Sequence, residues 1–516
     1  MSRQAASSAR SLLERVCSSK SFCPHHSHDS TPLVIARPSS DTGYFVGYDI
    51  RNLKAKNTVV VTDKNVAETR AFKAVVDSLT RLGQKFAVYE DVQIESSDAS
   101  MKRAIDFARH YRFDSFIAVG GGSVMDTAKA AALYTSNPEP RRGLPRLRRT
   151  SLRFDLAGRS QTPVRPMLPL IAVPTTSGTG SETTGTSIMD LPEHNCKTGI
   201  RLRCLKPLLA IVDPLNVLSM PRNVAVYSGF DILCHALESY TALPYYERSP
   251  RPSTPQTRPL YQGSNPISDV WCMESLRIMS KYFRRAIFNA DDEEAKSAML
   301  MASSFTGVGF GSAGVHICHG LSYPISSQGK LFHDSDYPAG KPLIPHGLSV
   351  VTTAVADFEY LAPSCPERHT EAARGLGAEI PISANADYIA RTLCDQIRGF
   401  MRDFNVPNGL KAMGFTTGDL PKLTEAAIIS VPNIAISPKR TDEETIARIY
   451  ENNGVRRYLP YEFEVHYSCK RHKVIPKIGE FVDRFCDAFF KTLEYQNKIL
   501  SLPKIAEWIK ERPDIT

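Results

Sequence analysis

Strand and helix patterns alternate along residues 58–130, and this alternation restricts the possible folds more than any other feature. Each strand pattern is a short β-branched or aromatic run, and each helix pattern repeats apolar residues at i, i+3, i+4 and i+7. This order is typical of a parallel sheet with helices on its faces, so we expect an α/β domain here. The strand patterns are 58–62, 85–89 and 115–120, and the helix patterns are 68–82 and 98–110.

Glycine and hydroxyl residues follow two of the predicted strands. Gly120-Gly-Gly-Ser123 precedes a helix, and Thr175–Glu182 is rich in Thr, Ser and Gly. Backbone N–H groups in such loops can approach a phosphate. Either loop alone is equally well explained as a structural turn, but two of them together favour a nucleotide site. Asp63, after the first strand, is placed either to accept from a ribose hydroxyl or to form a turn.

Two ionisable residues interrupt the apolar stretch 229–240. Asp231 and His235 are four residues apart, which places them on one face of a helix. Burying them is costly unless they have partners. A hydrogen bond between them would suffice, and a divalent metal is the other explanation.

Two further histidines favour the metal. His319 and His346 are each followed by glycine, which leaves space around the ring. With Asp231 and His235 they would supply one oxygen and three nitrogens, a set that suits a divalent transition metal such as iron(II) or zinc. His316 is the alternative third ligand, and we expect it to pack or to support a ligand instead.

Composition excludes several classes of function. The 516 residues are 42% hydrophobic and 23% charged, as in ordinary globular enzymes. Much of the net charge of +9 comes from residues 137–166, where eight arginines accompany two acidic residues, so we expect no nucleic-acid partner. No run of about 18 apolar residues occurs, so no membrane span is expected. The eleven cysteines form no Cys-x-x-Cys pair, which indicates reduced thiols.

Residues 1–30 have the composition of an organelle leader. They are rich in serine and arginine and poor in acidic residues, and Leu12, Leu13 and Val16 can form one apolar stripe. This is typical of a mitochondrial transit peptide, with an unaddressed tail as the alternative. We therefore expect the mature protein in the mitochondrial matrix.

Six motifs in one order make the chain resemble the iron-containing alcohol dehydrogenase family. The resemblance implies a Rossmann-like nucleotide-binding α/β domain at 44–215, with residues 137–166 as an atypical loop. It also implies an all-α metal-binding domain at 216–450, with the metal in the cleft between the two, while residues 452–516 lie outside the family as an atypical extension. The motifs are Gly-Gly-Gly-Ser-x-x-Asp-Thr-x-Lys (120–129), Pro-Thr-Thr-Ser-Gly-Thr-Gly-Ser-Glu (174–182), Asp-x-x-x-His-Ala-x-Glu-Ser-Tyr (231–240), Asn-Pro-x-Ser-Asp (265–269), His-Gly-x-Ser (319–322) and Pro-His-Gly (345–347).

The same resemblance implies specific site residues. Asp231, His235, His319 and His346 would be the catalytic metal ligands. Tyr323 stands where many family dehydrogenases carry a second histidine. The residues implied to contact a tightly bound NAD(H) are Asp63, Gly121, Gly122, Ser123, Thr175, Thr176 and Lys197.

Residues 241–269 are similar to those of a mitochondrial subgroup of the family. The resemblance implies transfer of hydride from a hydroxy acid to an oxo acid, with 4-hydroxybutyrate and 2-oxoglutarate as the expected pair. Because both substrates are carboxylates, we expect a cationic anchor, with Arg248, Arg251 and Arg258 as candidates against the alternative of a solvated basic loop. The other interpretations are a dehydrogenase that releases NADH and an inactive homologue, and a homodimer is one expected assembly.

Overall fold

The architecture comes from a computed structural model of the chain. The chain divides into two compact units, residues 1–456 and residues 457–516. The second unit, the leader at 1–30 and most of the arginine-rich loop lie outside the described residues. The described residues are 33–35, 42–137, 165–249, 251–252, 258–329, 331–338, 342–428 and 431–455.

Six strands form one parallel sheet in the first half of the described chain. Its central strands are apolar on both faces because helices cover both sides, as the alternating sequence pattern predicts. The strands are β1 (Leu33–Ile35), β2 (Thr58–Val61), β3 (Phe86–Tyr89), β4 (Ser115–Gly120), β5 (Leu170–Pro174) and, after the hairpin strands β6 (Thr186–Leu191) and β7 (Cys196–Arg201), β8 (Leu209–Val212). Their order across the sheet is β1-β8-β5-β4-β2-β3.

Helices pack on both faces of this sheet. Val59 and Val61 join the apolar cluster under one pair of helices, whereas Val60 joins the cluster on the opposite face. The helix predicted over 68–82 is confirmed as a single helix that begins at Arg70, and a short helix capped by Asp63 precedes it, where the sequence predicts only a turn. The helices of this half are α1 (Thr42–Asn52), α2 (Lys64–Ala67), α3 (Arg70–Arg81), α4 (Asp98–Tyr111) and α5 (Gly122–Ser136).

An antiparallel hairpin, which sequence patterns did not reveal, follows the second glycine loop. Its strands β6 and β7 pair from Thr186↔Arg201 to Leu191↔Cys196. Ser187 Oγ donates to the carbonyl oxygen of Asp126, which joins the hairpin to α5. The hairpin therefore carries Lys197 and Arg201 beside the carboxyl ends of the parallel strands.

The second half of the described chain is helical. Gly180, with φ of +56°, lets the second glycine loop pack closely on this half, because a Cβ there would lie 2.6 Å from the Gly307 Cα. The helices are α6 (Arg222–Thr241), α7 (Pro266–Phe288), α8 (Glu293–Ala313), α9 (Ile317–Gln328), α10 (His346–Leu361), α11 (Pro366–Gly375), α12 (Ala386–Asp403), α13 (Gly409–Ala412), α14 (Leu420–Ile428), α15 (Val431–Ile434) and α16 (Glu443–Val455). The expected order of an α/β part followed by a helical part is confirmed.

Helices α8 and α9 meet at a bend of 105°. Among the described residues, no single helix is long and apolar enough to cross a bilayer, although this bent pair passes the same test of length and composition when taken together. The bend places the start of α9 beside the middle of α6.

Candidate active site

A cavity of about 410 Å³ lies where the carboxyl ends of the parallel strands face the helical half. Ligands of open α/β sheets bind at this edge. The cavity is lined by residues of both halves, including every residue that the sequence singled out for the nucleotide and for the metal. These are Asp63, Gly121, Gly122, Ser123, Thr175, Thr176, Lys197, Asp231, His235, His319 and His346.

The two glycine loops touch each other along one wall of the cavity. Strand β4 ends at Gly120, and α5 begins at Gly122. A Cβ at Gly121 would lie 3.0 Å from the Thr176 methyl carbon, and one at Gly122 only 2.7 Å from that of Thr179. A larger residue at either glycine would therefore have to displace a threonine methyl group, and the helix N-terminus that the loops leave facing the cavity suits a phosphate.

Asp63 is both a cap and a part of the cavity wall. Its Oδ1 accepts from the backbone N–H groups of Asn65 and Val66, so it forms the turn that starts α2. It also lines the cavity. The two interpretations of this residue are therefore compatible, and its contact with a ribose stays a prediction.

Lys197 reaches the cavity from β7 and is paired with Glu95. Glu95 has a positive φ of 56°, and its N–H donates to Ser123 Oγ at 3.0 Å. Burial acts to raise the pKa of Glu95, but the Lys197 ammonium and the nearby His346 together hold the pKa below its usual value. Glu95 is therefore ionised, and its contact with Lys197 fixes that side chain next to the glycine loop.

The four metal-ligand candidates converge on one carboxylate oxygen. Asp231 Oδ1 lies 3.6 Å from His235 Nδ1, 3.3 Å from His319 Nε2 and 3.6 Å from His346 Nε2. Ligand atoms of Asp231, His235 and His319 all lie within 4.8 Å of one another. Burial acts to raise the pKa of Asp231, yet the imidazoles of His235 and His346 hold it below its usual range.

The chemistry of this cluster fits a divalent metal. Within the described part of the chain, the buried Nδ1 of His235 has no hydrogen-bond partner, although such atoms normally have one. Burial lowers the pKa of His235 to about 3, so at neutral pH its ring is uncharged and offers a lone pair. The ring is also fixed by stacking on Phe310, with centroids 3.9 Å apart.

Glu238, one turn after His235, orients His319. Its carboxylate bonds to His319 Nδ1 and also accepts from the backbone N–H of His316. Burial acts to lower the pKa of His319, but the carboxylates of Glu238 and Asp231 together outweigh it and raise the pKa to about 10. This role of Glu238 was not predicted from the sequence, although Glu238 belongs to the Asp-x-x-x-His-Ala-x-Glu-Ser-Tyr motif and its i+3 spacing from His235 was a usable signal.

The remaining candidates fall outside the ligand cluster. His316 is buried beside Glu238, and its Nε2 lies 3.2 Å from Thr241 Oγ1, in agreement with the expected packing role. Tyr323 lines the cavity, and its ring centroid is 6.4 Å from that of His346.

The structure does not place the proposed arginine anchors at the site. None of Arg248, Arg251 and Arg258 is among the cavity-lining residues of the described chain. Arg251 and Arg258 are exposed, as expected for the solvated-loop interpretation. The same subgroup segment instead contributes Tyr261 to the cavity wall.

Comparison with known proteins identifies close relatives over most of the chain. The chain is 59% identical over 470 residues to the mitochondrial hydroxyacid-oxoacid transhydrogenase of Caenorhabditis briggsae, covering 87% of this chain and 99% of the relative. It is 46% identical over 455 residues to the protein of that name from Xenopus tropicalis, covering 85% and 96%. In agreement with these mitochondrial relatives, the protein is mitochondrial.

Solved structures share the fold at low sequence identity. A 1,3-propanediol oxidoreductase matches with a TM-score of 0.68 and 22% identity, covering 82% of this chain and 98% of that one. A sulfoacetaldehyde reductase from Bifidobacterium kashiwanohense, solved in complex with NAD+, matches with a TM-score of 0.64 and 22% identity, covering 83% and 98%.

Family models cover both halves of the described fold. The model for iron-containing alcohol dehydrogenase matches residues 40–214, and the model for the C-terminal part of the Fe-containing alcohol dehydrogenase family matches residues 260–454. This match supports a metal and NAD(H) as the cofactors. The chain therefore belongs to the iron-containing alcohol dehydrogenase family and is an oxidoreductase.

Proposed function

We propose that this protein is a hydroxyacid-oxoacid transhydrogenase that oxidises 4-hydroxybutyrate to succinate semialdehyde and reduces 2-oxoglutarate to 2-hydroxyglutarate. The two half-reactions balance, because the hydride and proton removed from one acid are added to the other. The name of the relatives supports the reaction class. The observation that carries the proposal is that one cavity holds both the four-donor cluster and the two glycine loops.

The four donors Asp231, His235, His319 and His346 are proposed to hold the metal. A divalent ion bound there supplies a Lewis acid that lowers the pKa of a substrate hydroxyl, and NAD supplies the hydride acceptor. Glu238 holds the His319 ring in one orientation, and Phe310 does the same for His235. These side chains are therefore set before substrate enters, which reduces the reorganisation that the reaction requires.

The glycine loops and Lys197 are proposed to bind the dinucleotide. Backbone N–H groups at the start of α5 suit its phosphates, and hydroxyls of Thr175 and Thr176 suit its polar groups. Asp63 is proposed to accept from the adenosine ribose. We propose that the nucleotide stays bound between the two half-reactions.

The proposed organisation of the chain follows the same reasoning. Residues 1–30 are proposed to be the transit peptide, and residues 44–215 and 216–450 the nucleotide-binding and metal-binding domains. The end of the leader can be tested by sequencing the N-terminus of the mature protein from mitochondria. We expect it to begin near residue 30, and a mature protein that retains Met1 would refute the leader.

The experiment that tests the function is turnover by purified, metal-loaded protein without added NAD. We expect many turnovers per active site when 4-hydroxybutyrate and 2-oxoglutarate are both present, and at most one turnover with either acid alone. The matched control is the His235→Ala variant, which lacks a proposed metal ligand.

The alternatives predict different results. A dehydrogenase that releases NADH would require added NAD for repeated turnover with 4-hydroxybutyrate alone. An inactive homologue would bind metal but form neither product under any of these conditions. Either result would overturn the proposed transhydrogenase.

A further inference from the structure

The substrates of the proposed function need a partner for their carboxylate, and the cavity offers little positive charge for it. Lys197 is the only lysine or arginine among the cavity-lining residues of the described chain. Its ammonium is already bound to Glu95. Since the Arg248, Arg251 and Arg258 candidates lie elsewhere, the carboxylate must be recognised mainly by other groups.

One wall of the cavity carries three hydroxyl groups from three separate segments. Thr186 begins β6, Tyr261 comes from the subgroup segment before α7, and Tyr323 lies one turn after His319 on α9. Thr186 Oγ1 and the Tyr261 hydroxyl are 3.1 Å apart. When Thr186 donates this bond, the Tyr261 proton remains available to a ligand.

The Tyr323 hydroxyl is a proton donor at neutral pH. Burial raises the pKa of Tyr323 to about 12, although the nearby charge of Arg201 acts to lower it. The ring lies close to the proposed metal ligands, with its centroid 6.4 Å from that of His346. A small acid whose reacting carbon lies at the ligand cluster can therefore extend towards this hydroxyl.

The guanidinium group of Arg201 lies next to this wall, although Arg201 is not among the cavity-lining residues of the described chain. Arg201, at the end of β7, donates to Asn433 Oδ1 at 2.9 Å, and its Cζ lies 5.7 Å from the centre of the Tyr261 ring. The charge of Arg201 also reaches Tyr323, because it opposes the effect of burial and acts to lower the pKa of that phenol. Arg201 thus acts on both tyrosines and contributes positive charge to the same side of the cavity.

We infer that the Tyr261 and Tyr323 hydroxyls, with Arg201 as a positioning residue behind them, form the subsite for the substrate carboxylate. The inference rests on the proposed function, because it assumes that the substrates are hydroxy and oxo acids. Hydroxyl groups that donate to a carboxylate form charge-assisted bonds, which are short and about twice as strong as neutral ones. The positive field of Arg201 favours an anion at this wall and orients the phenol of Tyr261 through contact with its ring.

The test compares an acid with a neutral alcohol of the same length. Tyr261→Phe and Tyr323→Phe are assayed with 4-hydroxybutyrate and with 1,4-butanediol, in which a hydroxymethyl group replaces the carboxylate. We expect kcat/KM for the acid to fall about 10- to 100-fold in each variant, mainly through KM, while the value for the diol changes less than about threefold. Tyr360→Phe, which removes a hydroxyl outside the cavity, is the matched control.

Equal losses on the acid and the diol would overturn the subsite, because they would show general damage to the site. Arg201→Met should raise KM for the acid, and Arg201→Lys should recover part of the loss by restoring the charge. A purely structural role for Arg201 predicts equal changes with both substrates.

Binding of butyrate, measured by calorimetry on the purified protein, tests the subsite without turnover. We expect both tyrosine variants to bind butyrate about 10-fold or more weakly than the unmodified protein. If the protein turns over neither substrate but the variants still lose butyrate binding, the subsite stands and the proposed function fails. Equal butyrate binding by all variants, or none by the unmodified protein, would overturn the subsite.

Discussion

The carboxylate of Glu238 is bound to Nδ1 of His319, and the opposite nitrogen of that ring lies 3.3 Å from Asp231 Oδ1. One acidic residue therefore fixes both the rotation of the ring and the nitrogen that faces the ligand cluster. Both side chains are buried, so their geometry is protected from water. Residues that orient a metal-binding histidine in this way raise its basicity and its affinity for the metal.

Replacement of Glu238 by glutamine should weaken metal binding without removing a ligand. We expect the affinity for iron(II) or zinc to fall about 10- to 100-fold, because the amide no longer supplies the negative charge that makes His319 basic. Competition with a chelator of known affinity measures the change. Glu425→Gln, an exposed position on α14, is the control, and unchanged affinity in the Glu238 variant would refute the orienting role.

His235→Ala should abolish stoichiometric metal binding, since it removes one of four proposed ligands and leaves a gap beside Phe310. Metal content by elemental analysis after dialysis against a weak chelator is the measurement. We expect near-zero occupancy in this variant and full occupancy in His110→Ala, which alters an exposed histidine on α4. Full occupancy in both proteins would remove His235 from the ligand set.

Lys197→Met should reduce both stability and nucleotide retention. The change removes the ammonium group that pairs with the largely buried Glu95 carboxylate. Breaking such a buried ion pair lowers the free energy of unfolding by about 3–5 kcal/mol. Urea unfolding measures the stability, and mass spectrometry of the native protein measures retained NAD.

The double variant Glu95→Gln/Lys197→Met separates the two effects. We expect it to recover most of the lost stability, because no buried charge remains unpaired, but not the nucleotide. Recovery of both properties would show that Lys197 acts only through Glu95.

Because of the buried carboxyl group of Asp357, the free energy of unfolding should decrease as the pH rises from 6 to 8. Burial raises the pKa of Asp357 to about 8, so the folded state retains a proton that the unfolded state loses near pH 4. The contribution of Asp357 to the free energy of unfolding is therefore fully present below pH 4 and is lost as the pH rises through 8. The loss is at most about 1.4 kcal/mol per pH unit.

Asp357→Asn removes this titration while keeping the shape of the side chain. We expect the urea midpoint to fall less steeply between pH 6 and 8 than in the unmodified protein, and the variant to be more stable than the unmodified protein at pH 8. Asp387→Asn, at an exposed position on α12, should leave the original slope unchanged. An unchanged slope in the Asp357 variant would contradict the raised pKa.

The order of the fold could be predicted from sequence because its signals are local. The apolar runs of β2 and β4 and the helical spacing of α3 and α4 each appear within a few residues. The β6–β7 hairpin was missed because its strands lack alternation strong enough to reveal them. The short helix α2 was missed because its four residues span only about one turn, and Asp63, which caps it, is equally typical of a turn.

The candidate site was predictable where one side chain was chemically conspicuous. Asp231 and His235 stand out in an apolar helix, and His319 and His346 precede glycines. Glu95 and Tyr261 gave no such signal, because their importance comes from partners far away in sequence, Lys197 and Thr186. Likewise, the arginines of the subgroup segment were conspicuous in sequence but do not line the cavity of the described structure.

The most direct test of the proposed transhydrogenation follows the path of the hydride. Purified protein is supplied with 4-hydroxybutyrate deuterated at carbon 4, with unlabelled 2-oxoglutarate and with a large excess of unlabelled free NADH. We predict that deuterium appears at carbon 2 of 2-hydroxyglutarate, one atom per molecule, without dilution by the free NADH. Unlabelled 2-hydroxyglutarate, with deuterium collecting in the free nucleotide, would show that the cofactor leaves at each turnover and would contradict direct transhydrogenation.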